Sequence, residues 1–254
     1  DSEDVLQISI DNGYCLRSDA FGMNNQDWGY NDWEKGYVMK WSNKLPILME
    51  GGYIVSSHSY WNDPAGYRKD HPEDVREGEF QASMEAKVNM MDFRVGGETK
   101  SWFENSFSLV KRFNAEGGYR LYPTQVSVPS AGTFSSRVTL GHSWANLGWG
   151  YCPVNIRQWN YKYKVAFALL DSKGEPVKVF VDEQTDLSQW LKGEVTSYTF
   201  DVDIKGVAVG AYTWGVGIVD TTDDNRIGIR AAAASSRMTD TGWVRAGTFT
   251  VTAE

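Results

Sequence analysis

The sequence predicts an α/β half followed by an all-β half, and three observations lead to that fold class. Strand-like and helix-like segments alternate over residues 1–118, which is the pattern of βα units on a parallel sheet. From residue 119 onward, seven or eight short, turn-bounded segments with alternating polarity predict an antiparallel, immunoglobulin-like β-sandwich. No low-complexity linker separates the halves, so we predict two domains, residues 1–118 and 119–254, with a packed junction.

The first half begins with a segment that resembles a strand ending in Arg17, Ser18 and Asp19. An Asn-, Trp- and Tyr-rich loop follows, and then a short helix over residues 33–41. Pro46-Ile-Leu-Met-Glu50 is a short apolar run between a Pro and two glycines, which is typical of a fully buried parallel strand. The remaining expected elements are a helix over 71–86, a strand over 87–95 and a helix over 101–113.

The second half contains segments in which polar and apolar residues alternate, as expected for half-buried strands. Asp171-Ser-Lys-Gly174 has the composition of a hairpin turn, and residues 186–191 predict one helical turn. The predicted strands lie at residues 119–128, 132–140, 162–170, 177–181, 195–202, 210–219 and 243–251.

Composition excludes several classes of partner. The formal net charge is -8, and no run of Lys or Arg exceeds two residues, so a nucleic-acid partner is not expected. No apolar run approaches the length of a membrane span. The eleven Trp and thirteen Tyr residues suit either a sugar-stacking surface or a sandwich core.

Cysteine and histidine usage favours neither a disulfide framework nor a metal site. Cys15 and Cys152 lie far apart, and two free thiols are favoured over one long-range disulfide. The three His residues are scattered without zinc spacing, and no loop has regular calcium spacing, so we predict no metal and no cofactor. The chain starts at Asp1 without a signal peptide, which predicts a processed product or a piece of a longer protein.

Glu50 is the first candidate for a chemical role. A carboxylate where a buried strand meets its loop lies at the rim where barrel enzymes hold their catalytic groups. The alternative is a carboxylate that a neighbouring Arg holds for structural reasons. Similarly, Arg17 and Asp19 either pair with each other or face a polar ligand.

Residues 117–251 resemble a bacterial domain family of unknown function that tends to follow a glycoside-hydrolase-like barrel in secreted proteins. The likeness rests on the order of several short motifs: Gly117-Gly-Tyr-Arg-Leu121, Asn146-Leu-Gly-Trp-Gly-Tyr-Cys-Pro153, Asp171-Ser-Lys-Gly174, Asp186-Leu-Ser-Gln-Trp190, Gly210-Ala-Tyr212 and Gly242-Trp-Val. The first half then resembles the end of the matching (β/α)8 barrel. The strand ending at Asp19 is similar to strand six, the strand ending at Glu50 to strand seven, and residues 88–95 to strand eight.

This resemblance implies that Glu50 occupies the position of the nucleophile in a retaining, clan A-like glycoside hydrolase. Such enzymes need a second carboxyl group as acid, which in that clan follows an Asn on strand four. No Asn-Glu pair precedes residue 50 here. The resemblance therefore implies that a missing N-terminal segment or a second chain completes the barrel, in a secreted protein that is extracellular or periplasmic.

Two functions from different classes follow. In the first, the chain is the C-terminal part of a secreted hydrolase of polysaccharides or oligosaccharides, and Arg17, Asp19, Tyr53, His58 and Trp61 form the sugar pocket around Glu50. In the second, the protein is a non-catalytic carbohydrate-binding or scaffold protein. Its sandwich would offer an aromatic platform formed by Trp144, Trp149, Tyr151 and Trp159, although packing of these rings against the barrel is favoured.

Overall fold

The computed structural model describes residues 2–19, 21–22, 32–51 and 75–253. The chain divides into two units. Unit 1 comprises Asp1–Tyr119 together with Gly148–Pro153, and unit 2 comprises Arg120–Leu147 and Val154–Glu254. Among the described residues, no helix has both the length and the apolar character needed to cross a membrane.

Unit 1 contains a three-stranded parallel sheet with strand order β1-β2-β3. The parallel pairing that the sequence predicted is thereby confirmed, and helices lie between and after the strands. The elements of this unit are α1 Glu3–Asp11, β1 Leu16–Asp19, α2 Asp32–Lys40, β2 Ile47–Glu50, α3 Val75–Glu85, β3 Met90–Asp92, α4 Gly97–Asn105 and α5 Phe107–Glu116.

Alternate residues of the three strands face the core of unit 1. Ile47 and Met49 of β2 are fully buried, whereas Leu48 and Glu50 are only partly buried, because successive side chains of a strand point to opposite faces. The buried set continues in the helices and in the 148–153 segment. It comprises Leu16, Phe21, Tyr37, Val38, Ile47, Met49, Phe80, Ala82, Ala86, Val88, Met91, Trp102, Val110 and Trp149.

One element of unit 1 was not predicted, and one expectation differs from the structure. The N-terminal residues form helix α1, and Ser2 caps it by accepting a hydrogen bond from the Val5 backbone N–H. The helix expected over 101–113 is two helices that break at Ser106, whose φ of -139° and ψ of 33° are not helical. Ser106 makes no side-chain capping hydrogen bond, so the break lies in its backbone conformation.

Unit 2 contains a six-stranded sheet and a three-stranded sheet, and most strand pairs are antiparallel. The larger sheet has the order β5-β12-β10-β7-β8 with β11 paired to β10, and the smaller has the order β4-β6-β9. The strands are β4 Leu121–Ser127, β5 Ala131–Thr133, β6 Arg137–Asn146, β7 Tyr163–Leu170, β8 Pro176–Asp182, β9 Val195–Asp203, β10 Gly210–Asp220, β11 Arg226–Ile229 and β12 Val244–Thr252.

Aromatic side chains from both sheets meet in the core of unit 2. Phe167 of β7 lies 5.9 Å from Phe200 of β9 and 6.3 Å from Trp214 of β10, measured between ring centroids. His142 of β6 lies 5.5 Å from the Phe167 ring. These contacts hold one face of the large sheet against the small sheet.

Two strand expectations for unit 2 were incomplete. The strand expected over 132–140 is divided into β5 and β6, because Ser136 Oγ accepts a hydrogen bond from the Thr133 backbone N–H within the connecting turn. Strand β11 was not predicted. Its hairpin turn places Asp224 and Asn225 at positive φ, a conformation that these two residue types tolerate better than most.

Candidate functional site

Three carboxylate residues lie in one row across the carboxyl edge of the parallel sheet. Asp19 of β1 is in register with Glu50 of β2, and Glu50 is in register with Asp92 of β3. Because adjacent strands lie about 4.8 Å apart and register partners point to the same face, these side chains lie close together. The edge is the one where parallel α/β proteins bind their ligands.

Glu50 is the central carboxylate of this row and contacts two guanidinium groups. Arg17 of β1, two residues before Asp19, forms an ion pair with Glu50 through Nη2 and Oε2. Arg94, in the loop after β3, places its Nε 3.6 Å from Glu50 Oε1. The Glu50 side chain is only 12% exposed, so water screens these two attractions less than it would at the surface.

Arg94 also links the outer parts of this edge. Its Nη1 lies 3.8 Å from Asp19 Oδ1, and its Nε lies 3.4 Å from Glu98 Oε2 in α4. The Arg94 backbone N–H donates a 2.8 Å hydrogen bond to Asp92 Oδ1. Four carboxylates and two guanidinium groups therefore meet at this edge, which leaves it with an excess of negative charge.

The layer behind Glu50 is buried and polar. Gly51 donates a 2.8 Å backbone hydrogen bond to Asp92 O, and a Cβ at Gly51 would lie 3.4 Å from Trp102 Nε1 and 3.7 Å from Glu79 Oε2. Glu79 of α3 is fully buried, and so is Arg76, which donates a hydrogen bond to Ser101 Oγ. Buried charged residues at strand ends mark places where a fold positions chemistry.

The structure brings together three of the predicted site residues and adds others. Arg17, Asp19 and Glu50 form one cluster, and Arg17 contacts Glu50 rather than Asp19. Tyr53, His58 and Trp61 lie outside the described residues. Sequence reasoning missed Arg94, Asp92, Glu98 and the buried pair of residues on α3.

The missed α3 residues carried a sequence signal. Arg76, Glu79, Phe80 and Ser83 recur at i, i+3, i+4 and i+7, and all four are buried. Polar residues at core-facing helical positions therefore mark the side of α3 that lies next to Gly51, the residue after Glu50, whereas the apolar pairs alone did not.

Burial contradicts three of the four residues of the predicted aromatic platform, whereas the fourth, Trp159, is partly exposed. Trp144 and Tyr151 are 0% exposed, and Trp149 is 3% exposed. Trp149 belongs to unit 1, where its ring packs edge-on against Phe80 and Phe113 and its Nε1–H donates to Val88 O. These rings fill cores and cannot stack on a sugar.

Cys15 precedes β1 and lies near the site in sequence. Both cysteines are free thiols, as favoured from the sequence. Desolvation raises the pKa of the Cys15 thiol, so the thiolate is scarce at neutral pH and this side chain is not a nucleophile candidate.

The fold and the site define a mixed α/β protein with several sheets and a charged parallel-strand edge.

No family model matches the sequence, and no curated protein matches it. Solved structures resemble it only weakly. The crystal structure of the CARDB domain of a Pyrococcus furiosus protein, in complex with di-metal ions, has a TM-score of 0.32 and 14% identity, and the match covers 54% of this chain and 96% of that domain.

Two larger enzymes show the same low level of similarity. A β-glucosidase from Listeria innocua has a TM-score of 0.27 and 13% identity, with 52% of this chain and 16% of the enzyme covered. A Pseudomonas fluorescens alkylpurine DNA glycosylase bound to DNA has a TM-score of 0.31 and 12% identity, with 90% of this chain and 63% of that chain covered.

Proposed function

We propose that the carboxyl edge of the parallel sheet is part of the carbohydrate site of a glycoside hydrolase, with Glu50 as its nucleophile-like carboxylate. The observation that carries this proposal is the position of Glu50. It lies at the centre of an in-register row of acids, it is only 12% exposed, and it contacts both Arg17 and Arg94.

The Arg17 and Arg94 guanidinium groups lie beside the Glu50 carboxylate and attract its negative charge. An ionised carboxylate suits a nucleophile and not an acid. In the proposed step, a Glu50 oxygen forms a bond to the anomeric carbon while the bond to the leaving oxygen breaks, and that oxygen takes a proton from a separate acid. Water then attacks the anomeric carbon, gives a proton back to the separate acid, now in its basic form, and releases Glu50 as a carboxylate.

The acid is not expected among the neighbours of Glu50. Asp92 accepts a backbone hydrogen bond from Arg94, and Asp19 lies 3.8 Å from the Arg94 guanidinium. Both carboxylates are therefore engaged by Arg94. We therefore propose that the acid lies on another strand of a completed barrel, as the family resemblance implies.

The sheet of unit 1 has a face that supports this completion. Met90 of β3 is 56% exposed, and Leu48 of β2 is only partly buried, although both belong to a parallel sheet. Parallel sheets normally have both faces covered. We propose that an N-terminal segment of the natural protein supplies the strands that cover this face, with a second chain as the alternative source.

The charge of the edge favours a neutral sugar as the ligand. Its four carboxylates outnumber its two guanidinium groups, which disfavours phosphate or carboxylate ligands. Tyr53, His58 and Trp61 stay predictions as further sugar contacts. A polymeric or oligomeric substrate fits a secreted bacterial protein, extracellular or periplasmic, and this location is proposed with the function.

The first experiment determines the intact mass and N-terminal sequence of the protein from its source. A longer natural chain is expected. That chain is then assayed on aryl glycosides of neutral sugars as wild type and as Glu50→Ala, with Glu104→Ala, an exposed acid of α4, as the matched control.

Glu50→Ala is expected to lose at least 10³-fold in kcat, roughly the scale at which a missing catalytic group shows. Sodium azide should restore turnover and give a glycosyl azide of inverted anomeric configuration. Glu104→Ala should retain wild-type activity. An active enzyme that tolerates Glu50→Ala would exclude the nucleophile role.

A non-catalytic carbohydrate-binding or scaffold protein is the second candidate. The observation that favours it is that Glu50 forms ion pairs with both Arg17 and Arg94. Ion pairs of this kind also occur where a carboxylate has only a structural role. An inactive natural chain that binds neutral oligosaccharides, and loses that binding in Glu50→Ala, would establish this function instead.

A further inference from the structure

Unit 2 contains a cavity that the proposed hydrolase site does not use. Its volume is about 380 Å³, within the range of small-molecule sites, and it lies beside strands β8 and β11. The lining residues are Glu175, Pro176, Val179, Asp224, Asn225, Arg226, Ile227, Thr241 and Trp243.

The fold builds this cavity on the outer face of the large sheet. Ala166 and Ala168 of β7 form a small core with Trp243, and Val179 and Ile227 pack against it. At Gly217 of β10, a Cβ would lie 3.4 Å from Trp243 Cε3 and would collide with Ile227 Cδ1. Small residues on the sheet therefore let the indole and β11 approach closely and form an apolar wall.

The indole of Trp243 has an unused donor. Trp243 is 2% exposed and lines the cavity. Its backbone N–H donates to Thr239 Oγ1, but within the described part of the chain no acceptor receives its indole N–H. An acceptor group of a ligand in the cavity would therefore find an unpaired indole donor at this wall.

The mouth of the cavity carries polar groups that are also unused. The carboxylates of Glu175 and Asp224 and the amide of Asn225 form no ion pair or side-chain hydrogen bond with any described residue. Arg226 is the cation of the lining, and its guanidinium lies 3.9 Å from Asp223 Oδ1. Acceptors thus predominate at the mouth, above an apolar wall with one unpaired indole donor.

We propose that this cavity binds one ring of a neutral saccharide. The C–H face of a pyranose matches the wall formed by Val179, Ile227 and Trp243, and its hydroxyl groups match the acceptors of Glu175 and Asp224. An anionic ligand would face two carboxylates. A quaternary ammonium ion favours several aromatic faces, whereas Trp243 is the one aromatic residue of this lining.

The cavity and the proposed hydrolase edge consist of different residues, since the cavity residues belong to unit 2 and Glu50 belongs to unit 1. The two proposals therefore fail independently. Loss of sugar binding in variants of the unit 2 cavity would leave cleavage by Glu50 intact, and loss of cleavage in Glu50→Ala would leave binding in this cavity intact.

The test titrates the full chain with cellotriose, laminaritriose, mannotriose, xylotriose and tetramethylammonium chloride, followed by isothermal calorimetry and by saturation-transfer NMR. Every protein in this titration carries Glu50→Ala, so that neither cleavage of the sugar nor binding at the proposed hydrolase edge affects the result. Glu175→Ala removes a carboxylate, and Asp224→Asn replaces one carboxylate oxygen with an NH2 donor. Asn also tolerates the positive φ of position 224. Thr241→Trp, at an exposed lining position, fills the mouth.

At least one trisaccharide is expected to bind, about tenfold more weakly in Glu175→Ala and undetectably in Thr241→Trp. Glu194→Ala, an exposed acid of the same unit outside the lining, is the matched control and should bind as the chain with Glu50→Ala alone does. Thermal unfolding confirms that each variant is folded. The proposal is overturned if no trisaccharide binds, if Thr241→Trp binds normally, or if the ammonium ion alone binds.

Discussion

The buried pair of His142 and Asp182 offers the sharpest test of how unit 2 is held together. His142 Nε2 lies 3.0 Å from Asp182 Oδ2, and both side chains are at most 1% exposed. Trp144 Nε1–H donates a 2.9 Å hydrogen bond to His142 Nδ1. Because an indole nitrogen can only donate, Nδ1 is an acceptor and the ring proton lies on Nε2, from which it is donated to Asp182.

Asp182→Leu removes the acceptor and leaves a buried N–H of His142 without a partner. That loss costs about 1–3 kcal/mol, and the Gln184 backbone N–H, 3.1 Å from Asp182 Oδ1, loses a further bond worth about 0.5–1.5 kcal/mol. We expect the free energy of unfolding to fall by about 2–4 kcal/mol. His142→Leu leaves a buried carboxylate without its donor, and we expect about 3–5 kcal/mol.

The double variant His142→Leu/Asp182→Leu removes both polar partners together. It should be less destabilised than the sum of the single variants by about 1–3 kcal/mol, because two apolar groups leave no orphaned charge between them. Urea unfolding measures each free energy. The exposed Asp223→Leu is the control, expected within about 0.5 kcal/mol of wild type.

Long-range ¹H–¹⁵N NMR spectra report the tautomer of His142 directly. An Nε2–H tautomer is expected in wild type. Additive single-variant effects, or an Nδ1–H tautomer, would refute the assigned hydrogen-bond direction and with it the calculated destabilisation.

Three other predictions concern single sites. Gly22→Ala should destabilise the protein by about 1–3 kcal/mol in thermal unfolding, since φ is +86° and the new Cβ would lie 2.5 Å from Ala82 Cβ. Lys162→Met should raise the pKa of Asp220 in NMR titrations. Desolvation raises the pKa of Asp220, but the hydrogen bond from Lys162 helps to lower it overall. The stability that the ionised Asp220 adds above about pH 4 is therefore lost on acidification. Trp149→Phe should cost about 0.5–1.5 kcal/mol in urea unfolding through its lost hydrogen bond, and an unchanged midpoint would contradict this.

Much of the fold could be predicted because periodicity reports burial. Residues 47–50 form a short apolar run, and the predicted buried strand is there. The strand predicted over 195–202 corresponds to β9, Val195–Asp203, where burial alternates along most of the strand. Side chains of a strand repeat every two residues, so a one-sided core leaves this pattern in the sequence.

The breaks between elements could not be predicted in the same way. Ser106 lies inside a continuous apolar period, and only its backbone conformation divides α4 from α5. Ser136 likewise ends β5 through a hydrogen bond to Thr133. The backbone conformation at Ser106 and the side-chain hydrogen bond at Ser136 each interrupt a pattern that extends across the residue.

The candidate site shows why a residue can be found from sequence while its partners are missed. Glu50 was identifiable because its own strand and loop mark its position. The partner Arg94 follows β3, and only the register between β2 and β3 places it beside Glu50. Register is a property of two strands together, so no local pattern around Arg94 reveals that contact. The buried polar positions of α3, by contrast, follow a pattern within one helix. Glu79 was therefore identifiable from the sequence as a buried charged residue.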